Sequence, residues 1–298
     1  MPRLNTNGIV TYFEDSALAG ASGPPVVLIH GHSVDLRLWD EQVPALTAAG
    51  YRAIRYDVRG HGRSMAPPTG YTWENYAADL HDLLERLNVE RPATESLTLD
   101  AAHVVGLSMG GGIALQFALD FPARVLSLTL VDSALPGFTY SDQFSRQIEA
   151  LVAAVRAESL SAEGANPRAA LERLWLTHPL FDGLRRFPDR FQRVREMVLA
   201  YPAADYREGA TPAGYVPAVA DRLHEIGAPT LVLVGEMDIP DFHLVADILA
   251  ENLPHARKVV LPDCGHVPPL EQPDTFNEAL IAFLRDPHAH PDPVEGSP

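Results

Sequence analysis

The chain has 298 residues, of which 46% are hydrophobic and 21% are charged, so it can form one large α/β domain or two smaller ones. This composition excludes global disorder. The formal net charge of −16 at pH 7 argues against nucleic acid and against an anionic membrane surface as binding partners.

The cysteine content and the apolar runs of the sequence indicate where in the cell the protein is located. Cys264 is the only cysteine, which excludes an intrachain disulfide. Residues 1–15 lack the apolar stretch of a secretory signal, and no apolar run is long enough to span a bilayer. We therefore expect a cytoplasmic protein that does not insert into membranes.

The first half of the chain alternates between predicted strands and predicted helices. Continuous apolar runs are typical of strands buried on both faces, and an apolar residue at every third or fourth position indicates a helix. In chain order we predict an edge strand at 9–14, a strand at 25–30, a helix at 39–49, a strand at 51–57, a helix at 73–87, a strand at 101–107, a helix at 109–121 and a strand at 125–131. Such alternation favours a parallel sheet covered by helices.

The alternation stops between residues 136 and 225. This inserted segment, residues 136–225, has a helical pattern and many aromatic residues, and we predict that it forms a cap over a site. Arg185 and Arg186 lie near Phe181 and Phe187 in the sequence and are candidates for contact with a substrate carboxylate.

The alternation resumes after the inserted segment, with a strand at 230–235, a helix at 243–253, a strand at 258–261 and a helix at 273–284. We therefore predict a core made of residues 1–135 and 226–285. Residues 286–298 are rich in proline and histidine and are predicted to be a disordered tail.

A Gly-x-Ser-x-Gly motif joins the predicted strand at 101–107 to the helix that follows. Gly106 and Gly110 leave room for a tight turn, which would hold Ser108 above the sheet at the start of a helix. This arrangement is a nucleophile elbow, and it makes Ser108 the candidate nucleophile.

A serine hydroxyl needs a base to remove its proton. His266 follows the last predicted strand in Cys264-Gly265-His266, which would place its imidazole at the carboxyl edge of the sheet. His266 is therefore the candidate general base.

The acid that orients this histidine should lie between the serine and the histidine in the chain, as is usual for such an elbow. Asp238 follows the strand at 230–235 and is the preferred candidate. Glu236 and Asp241 are on the same loop, and Asp132, directly after the strand at 125–131, is the topological alternative.

An oxyanion hole needs two donors, which backbone N–H groups can supply. One is the N–H of Met109, directly after the nucleophile. The other is the N–H of His32, in the loop His30-Gly31-His32-Ser33 after the strand at 25–30. The mechanism these residues support requires no metal ion and no organic cofactor.

Five motifs together resemble the α/β-hydrolase superfamily, and the resemblance extends over residues 8–285 apart from the inserted segment: His30-Gly31, Asp57-x-Arg59-Gly60-His61-Gly62-x-Ser64, Gly106-x-Ser108-Met109-Gly110-Gly111, Gly235-x-x-Asp238 and Gly265-His266. The resemblance implies an α/β-hydrolase fold, with a mainly parallel eight-stranded sheet flanked by helices and a helical cap. It also implies that residues 57–64 form a structural loop under the site.

Details of the motifs separate the branches of the superfamily. Serine at position 108 argues against haloalkane dehalogenases and epoxide hydrolases, which have aspartate there. Leu107 and Val267 stand where carbon–carbon hydrolases of ring-cleavage products typically have asparagine and tryptophan. The remaining motifs are similar to those of carboxylesterases and 3-oxoadipate enol-lactonases.

The sequence therefore predicts a serine hydrolase that cleaves a small-molecule carboxylic ester or lactone through Ser108, His266 and Asp238. The aromatic inserted segment favours a medium-sized acyl or aryl ester. The alternatives are a carbon–carbon bond hydrolase, a cofactor-free haloperoxidase or perhydrolase, and a hydrolase-fold receptor that does not turn over its ligand.

Overall fold

A single eight-stranded sheet organises the described part of the chain. The computed structural model describes residues 2–19, 23–89, 100–159, 168–207, 209–210 and 218–288. The strands are β1 (Arg3–Thr6), β2 (Ile9–Asp15), β3 (Pro25–Ile29), β4 (Arg52–Tyr56), β5 (Ala102–Leu107), β6 (Val125–Val131), β7 (Thr230–Gly235) and β8 (Ala256–Leu261). They are ordered β1-β2-β4-β3-β5-β6-β7-β8 across the sheet.

Helices cover both faces of this sheet. The α-helices are α1 (Gln42–Ala48), α2 (Trp73–Val89), α3 (Met109–Asp120), α4 (Asp142–Ser159), α5 (Arg168–Ala170), α6 (Asp182–Arg185), α7 (Pro188–Ala200), α8 (Pro240–Asn252), α9 (Pro268–Glu271) and α10 (Pro273–Arg285). Shorter 3₁₀ turns lie at Ser16–Ala19, Leu36–Trp39, Pro122–Arg124, Pro179–Phe181, Ala204–Tyr206 and Val219–Glu225, and a π-helical turn lies at Leu171–Trp175. No helix among the described residues is both long enough and apolar enough to cross a membrane.

The six strands from β3 to β8 run parallel, and β1 and β2 extend the sheet in antiparallel pairing. Every residue of β3, β5 and β7 is buried. Along β3, Val26 and Leu28 join one hydrophobic cluster, and Val27 and Ile29 join the other. The apolar runs of these strands thus reflect burial on both faces of the sheet, which confirms the predicted fold class.

The sequence prediction missed one strand. β1 pairs with β2 in antiparallel register, with Leu4 opposite Thr11. β1 is therefore the edge strand, and β2 lies between β1 and β4. The prediction of 9–14 as the edge was therefore wrong. β1 has only four residues, and only Leu4 and Thr6 are buried, which is too short a pattern to separate from a loop.

Two predicted helix starts also differ from the structure. The helix predicted at 39–49 begins at Gln42, after a separate 3₁₀ turn at Leu36–Trp39, and it carries Pro44 in its first turn, where proline is tolerated. The helix predicted at 243–253 begins at Pro240, at a position that favours proline. The prediction for the tail, beyond residue 288, lies outside the described residues.

Between β6 and β7 the described chain forms α4 to α7 together with short 3₁₀ and π-helical turns. Tyr140, Phe144, Trp175, Phe181 and Tyr206 from this region all face a cavity above the carboxyl ends of the strands. The helical pattern of the inserted segment is thus present in its described parts.

The contact between β5 and α3 leaves no space for a side chain at Gly106. A Cβ atom there would overlap the backbone carbonyl group of Gly110. Because two backbone segments meet, neither can yield by rotating a side chain.

Gly106→Ala should therefore lower the free energy of unfolding by about 2–3 kcal/mol, measured by urea titration. Gly227→Ala is the matched control, because a Cβ atom at Gly227 meets nothing within 4 Å. Its effect should stay within about 0.5 kcal/mol. Equal urea midpoints for the two variants would contradict this account of the turn.

Candidate active site

Ser108 occupies a strained turn between β5 and α3. Its backbone dihedrals are φ 52° and ψ −117°, a combination that non-glycine residues rarely adopt. The turn is closed on both sides: the N–H of Ser108 donates to the carbonyl of Val131 at 2.9 Å, and its carbonyl accepts from the N–H of Gly111 at 2.9 Å. The turn therefore presents the Ser108 side chain at the carboxyl edge of the sheet, as the elbow motif predicts.

His266 and Asp238 form a buried pair on neighbouring loops after β8 and β7. The Nδ1 atom of His266 lies 2.7 Å from Oδ2 of Asp238, and the two side chains are 7% and 0% exposed. The N–H of Ile239 donates to the other Asp238 oxygen at 2.7 Å. Since a carboxylate only accepts, Nδ1 carries the proton of this hydrogen bond, and in the neutral imidazole the lone pair is then on Nε2.

Asp132, the alternative acid, lies beside this pair but does not bond to the imidazole. It is fully buried at the end of β6, with φ 40°, and its Oδ1 accepts from the N–H of Gly235 at 2.9 Å. Burial and the neighbouring charge of Asp238 raise the pKa of Asp132 well above its usual value. The structure therefore brings Asp238, rather than Asp132, into contact with His266.

Sequence reasoning missed Glu271, which holds the loop that carries His266. This side chain is fully buried, and its two oxygens accept from the N–H of Gly265 at 2.7 Å and of Val267 at 3.0 Å. Burial raises the pKa of Glu271, and the two backbone hydrogen bonds oppose that shift. A carboxylate thus clamps the backbone on both sides of His266. The signal was a glutamate five residues after the histidine, at the end of the short helix α9.

Asp132, Asp238 and His266 also satisfy the spacing of a metal site, since one donor atom from each lies within 4.8 Å of the others. A cation at this point would have to replace the proton on Nδ1 of His266. The buried hydrogen bond between His266 and Asp238 explains why these side chains lie close together without a metal ion.

Ser108 and His266 face the same cavity, which has a volume of about 660 Å³. No hydrogen bond joins their side chains within the described residues. Contacts between nucleophile and base are often long without substrate and shorten in the bound complex. The ring centroids of Phe242 and His266 lie 4.3 Å apart, so the phenyl ring packs against the imidazole and limits its movement.

The two predicted oxyanion donors also line this cavity. Across the described chain, the backbone N–H groups of His32 and Met109 make no hydrogen bond to a backbone carbonyl. A Cβ atom on Gly31 would lie 3.5 Å from Cβ of Ser108, so the loop after β3 runs directly beside the serine. Both N–H groups are thus near Ser108 and available to a ligand.

The wall of the cavity is rich in aromatic residues and has no arginine or lysine among its described residues. Its aromatic members are Tyr71, Trp73, Tyr76, Tyr140, Phe144, Trp175, Phe181, Tyr206 and Phe242. Its charged members are the carboxylic acids Glu74 and Asp205, apart from the histidines.

The arginines proposed to meet a substrate carboxylate lie elsewhere. Arg185 donates to the carbonyl of Leu176 at 2.8 Å and pairs with Asp182. Arg186 donates to the carbonyl of Asp263 at 3.1 Å. Neither lines the cavity, so that expectation was wrong. Both side chains bond to the protein's own oxygens instead.

Comparison with known proteins agrees with this fold. A sequence model of the alpha/beta hydrolase fold matches residues 24–273, and the chain therefore belongs to that family. It is 30% identical over 284 residues to a dihydrolipoyllysine-residue acetyltransferase component of an acetoin cleaving system from Pseudomonas putida, covering 93% of this chain and 67% of the relative. It is 27% identical to 3-oxoadipate enol-lactonase 1 of Acinetobacter baylyi, covering 89% and 90%. A thermophilic esterase from Thermogutta terrifontis superposes with a TM-score of 0.71 at 28% identity, covering 97% and 99%.

The two aspartates should respond differently to replacement by asparagine. Asp238→Asn removes the negative partner of His266 and should lower kcat/KM for an ester by about 10³–10⁴-fold. Asp132→Asn keeps the shape of the side chain and leaves the hydrogen bond between His266 and Asp238 in place, and should cost about tenfold or less. Steady-state kinetics of both variants, with circular dichroism as the folding control, tests the assignment. A larger loss of kcat/KM in Asp132→Asn than in Asp238→Asn would mean that Asp132, and not Asp238, is the acid that acts on His266.

Cys264 lies two residues from His266 but is shielded from solvent. It is fully buried, its Sγ lies 3.4 Å from the carbonyl oxygen of Leu261, and burial raises its pKa to about 12. The reactive thiolate is therefore scarce at pH 8.

The native protein should accordingly fail to react with Ellman's reagent at pH 8, whereas one equivalent should react in concentrated urea. Absorbance at 412 nm measures both. Rapid reaction of one thiol in the native state would mean that the His266 loop opens to solvent.

Proposed function

We propose that the protein is a serine hydrolase that cleaves carboxylic esters or lactones. The observation that carries the proposal is the buried His266–Asp238 hydrogen bond of 2.7 Å, which engages Nδ1 of His266 and leaves Nε2 as the ring nitrogen that can exchange a proton in a cavity that Ser108 also lines. In the proposed mechanism these three residues form the catalytic triad. The strained turn at Ser108 supports the same assignment, because strain of this kind concentrates at functional sites.

The proposed reaction is a two-step acyl transfer. Oγ of Ser108 attacks the carbonyl carbon while Nε2 of His266 takes the hydroxyl proton, and Asp238 stabilises the imidazolium. The N–H groups of His32 and Met109 stabilise the tetrahedral oxyanion. His266 then protonates the leaving alkoxide. In the second step His266 deprotonates a water molecule, which attacks the acyl carbon, and the proton passes to Oγ of Ser108 as the carboxylic acid leaves.

The cavity supports an uncharged substrate of medium size. About 660 Å³ accommodates an acyl or aryl ester of roughly drug-fragment size, and aromatic walls favour apolar groups. The carboxylates of Glu74 and Asp205, together with the lack of a described Arg or Lys in the wall, oppose a negatively charged acyl chain. We propose neutral esters and lactones as the substrate class.

Hydrolysis of p-nitrophenyl esters from acetate to octanoate by wild type and Ser108→Ala tests the proposal. Wild type should turn over with an optimum at intermediate chain length, and Ser108→Ala should fold normally and lose about 10⁴-fold or more in kcat. Circular dichroism of the variant is the control for folding.

Other outcomes of the same experiment separate the alternatives. An active Ser108→Ala variant would refute the mechanism. A burst of about one equivalent without turnover would indicate a receptor, or an enzyme for lactones or carbon–carbon bonds. Transfer of the acyl group to added alcohol or hydrogen peroxide, rather than to water, would indicate an acyltransferase or perhydrolase.

The charge of the cavity predicts a preference between matched substrates. The p-nitrophenyl ester of butyric acid should exceed the mono-p-nitrophenyl ester of succinic acid by about 100-fold in kcat/KM, because the second carries a carboxylate that the cavity does not neutralise. Glu74→Gln should narrow this ratio, and Glu172→Gln, which changes a residue outside the cavity, should not. A preference for the succinate ester would contradict the proposed substrate class.

A further inference from the structure

A cluster of polar side chains connects the inserted segment to the loop that holds the second oxyanion donor. Nε2 of His32 lies 3.0 Å from Oδ2 of Asp205 and 3.0 Å from the hydroxyl of Tyr201. That hydroxyl also donates to the other oxygen of Asp205. Because the Asp205 carboxylate accepts from both neighbours, Nε2 of His32 carries a proton.

The electrostatics of this cluster favour a charged carboxylate. Burial by itself would raise the pKa of Asp205, but the hydrogen bond and charge of His32, with further contributions from His61 and the Tyr201 hydrogen bond, lower that pKa to about 2. Asp205 therefore holds the His32 ring with a charge-assisted hydrogen bond, which is stronger than a neutral one.

Aromatic rings fix the imidazole of His32 on its remaining sides. Trp175 and Tyr201 meet it edge to face, with centroids at 6.0 and 5.1 Å, and Tyr206 lies at 5.2 Å. His61 approaches from the core at 5.6 Å. The ring is therefore held by one N–H group that Asp205 and the Tyr201 hydroxyl share, and by four aromatic neighbours, which leaves it little freedom to rotate.

A second, separate hydrogen bond ties the next residue of the same loop. Nε1 of Trp175 donates to Oγ of Ser33 at 2.6 Å. Ser33 is fully buried and has φ 63°, in the left-handed region that serine seldom adopts. Two different turns of the inserted segment, Leu171–Trp175 and Ala204–Tyr206, thus hold adjacent residues of the loop.

We propose that Asp205 is a positioning residue for the oxyanion hole, which it maintains by holding the His32 ring so that the N–H of His32 faces the carbonyl attacked by Ser108. This inference rests on the proposed function. The inserted segment then completes the oxyanion hole in addition to covering the cavity. An N–H displaced by about 1 Å loses much of its stabilisation of the transition state, although the substrate still binds.

Asp205→Asn is the first test, since it keeps the shape of the side chain and removes its charge. The variant should lose about 10–100-fold in kcat on p-nitrophenyl butyrate, with KM within about twofold of wild type. Affinity for a trifluoromethyl alkyl ketone, which forms a tetrahedral adduct with serine, should fall in parallel. The loss should be the same for acetate and octanoate esters, whereas a lost substrate contact would vary with chain length.

Tyr201→Phe and Asp182→Asn complete the series. Tyr201→Phe removes only the hydroxyl and keeps the ring that stacks on His61 at 4.6 Å, so it tests the same cluster even if Asp205→Asn does not fold. It should lose about three- to tenfold in kcat. Asp182→Asn is the matched control, because Asp182 is a carboxylate of the same segment that is 63% exposed and lies outside the cavity. It should change kcat by less than about twofold.

A double-mutant cycle decides whether Asp205 acts through His32. On a His32→Phe background, Asp205→Asn should cause no further loss in kcat. Three results would overturn the proposal: wild-type kcat in Asp205→Asn and Tyr201→Phe, an equal loss on the His32→Phe background, or a change confined to KM. An active Ser108→Ala protein would instead refute the proposed function, so the two failures are distinguishable.

Discussion

The site depends on one constraint, which is the close approach of three backbone segments at the carboxyl ends of the central strands. β5 turns into α3 so tightly that Gly106 meets Gly110, and a Cβ atom on Gly110 would in turn overlap the carbonyl of Ile29 at the end of β3. Only glycine fits at these contacts. The same contacts bring Ser108 beside the loop after β3, so the candidate nucleophile and the candidate oxyanion donors are placed by backbone packing before any side chain contributes.

Three buried carboxyl groups near His266 make different contacts. Asp132, Asp238 and Glu271 are all buried close to this residue, yet only Asp238 bonds to the imidazole. Burial raises the pKa of Asp132 and of Glu271. Both oxygens of Glu271 accept hydrogen bonds from backbone N–H groups. Asp238 is therefore the one carboxylate with a direct hydrogen bond to the imidazole, which is the contact that the proposed mechanism requires.

The inserted segment and the core contribute to one cavity. Core residues such as Trp73 and Met109 line it together with inserted residues such as Tyr140 and Trp175. Asp205 and Trp175 also bond directly to the loop after β3. The family to which the chain belongs carries many reactions on one core, so we expect selectivity to depend on the cavity-lining residues of both the core and the inserted segment.

The sequence by itself determined the parallel sheet, the elbow at Ser108 and the placement of His266 and Asp238 after their strands, because apolar runs and glycine spacing are local patterns. It could not locate β1, whose four residues bury too few side chains. It preferred Asp238 to Asp132 as the partner of His266 but left Asp132 open, because both follow strands. It did not find the contacts of Glu271, Asp205 and Trp175, and it did not exclude Arg185 from the cavity. Those outcomes depend on contacts between residues far apart in the chain, such as the 173 positions between His32 and Asp205. Only the tertiary structure decides them, because burial and hydrogen-bond partners exist only once the chain is packed.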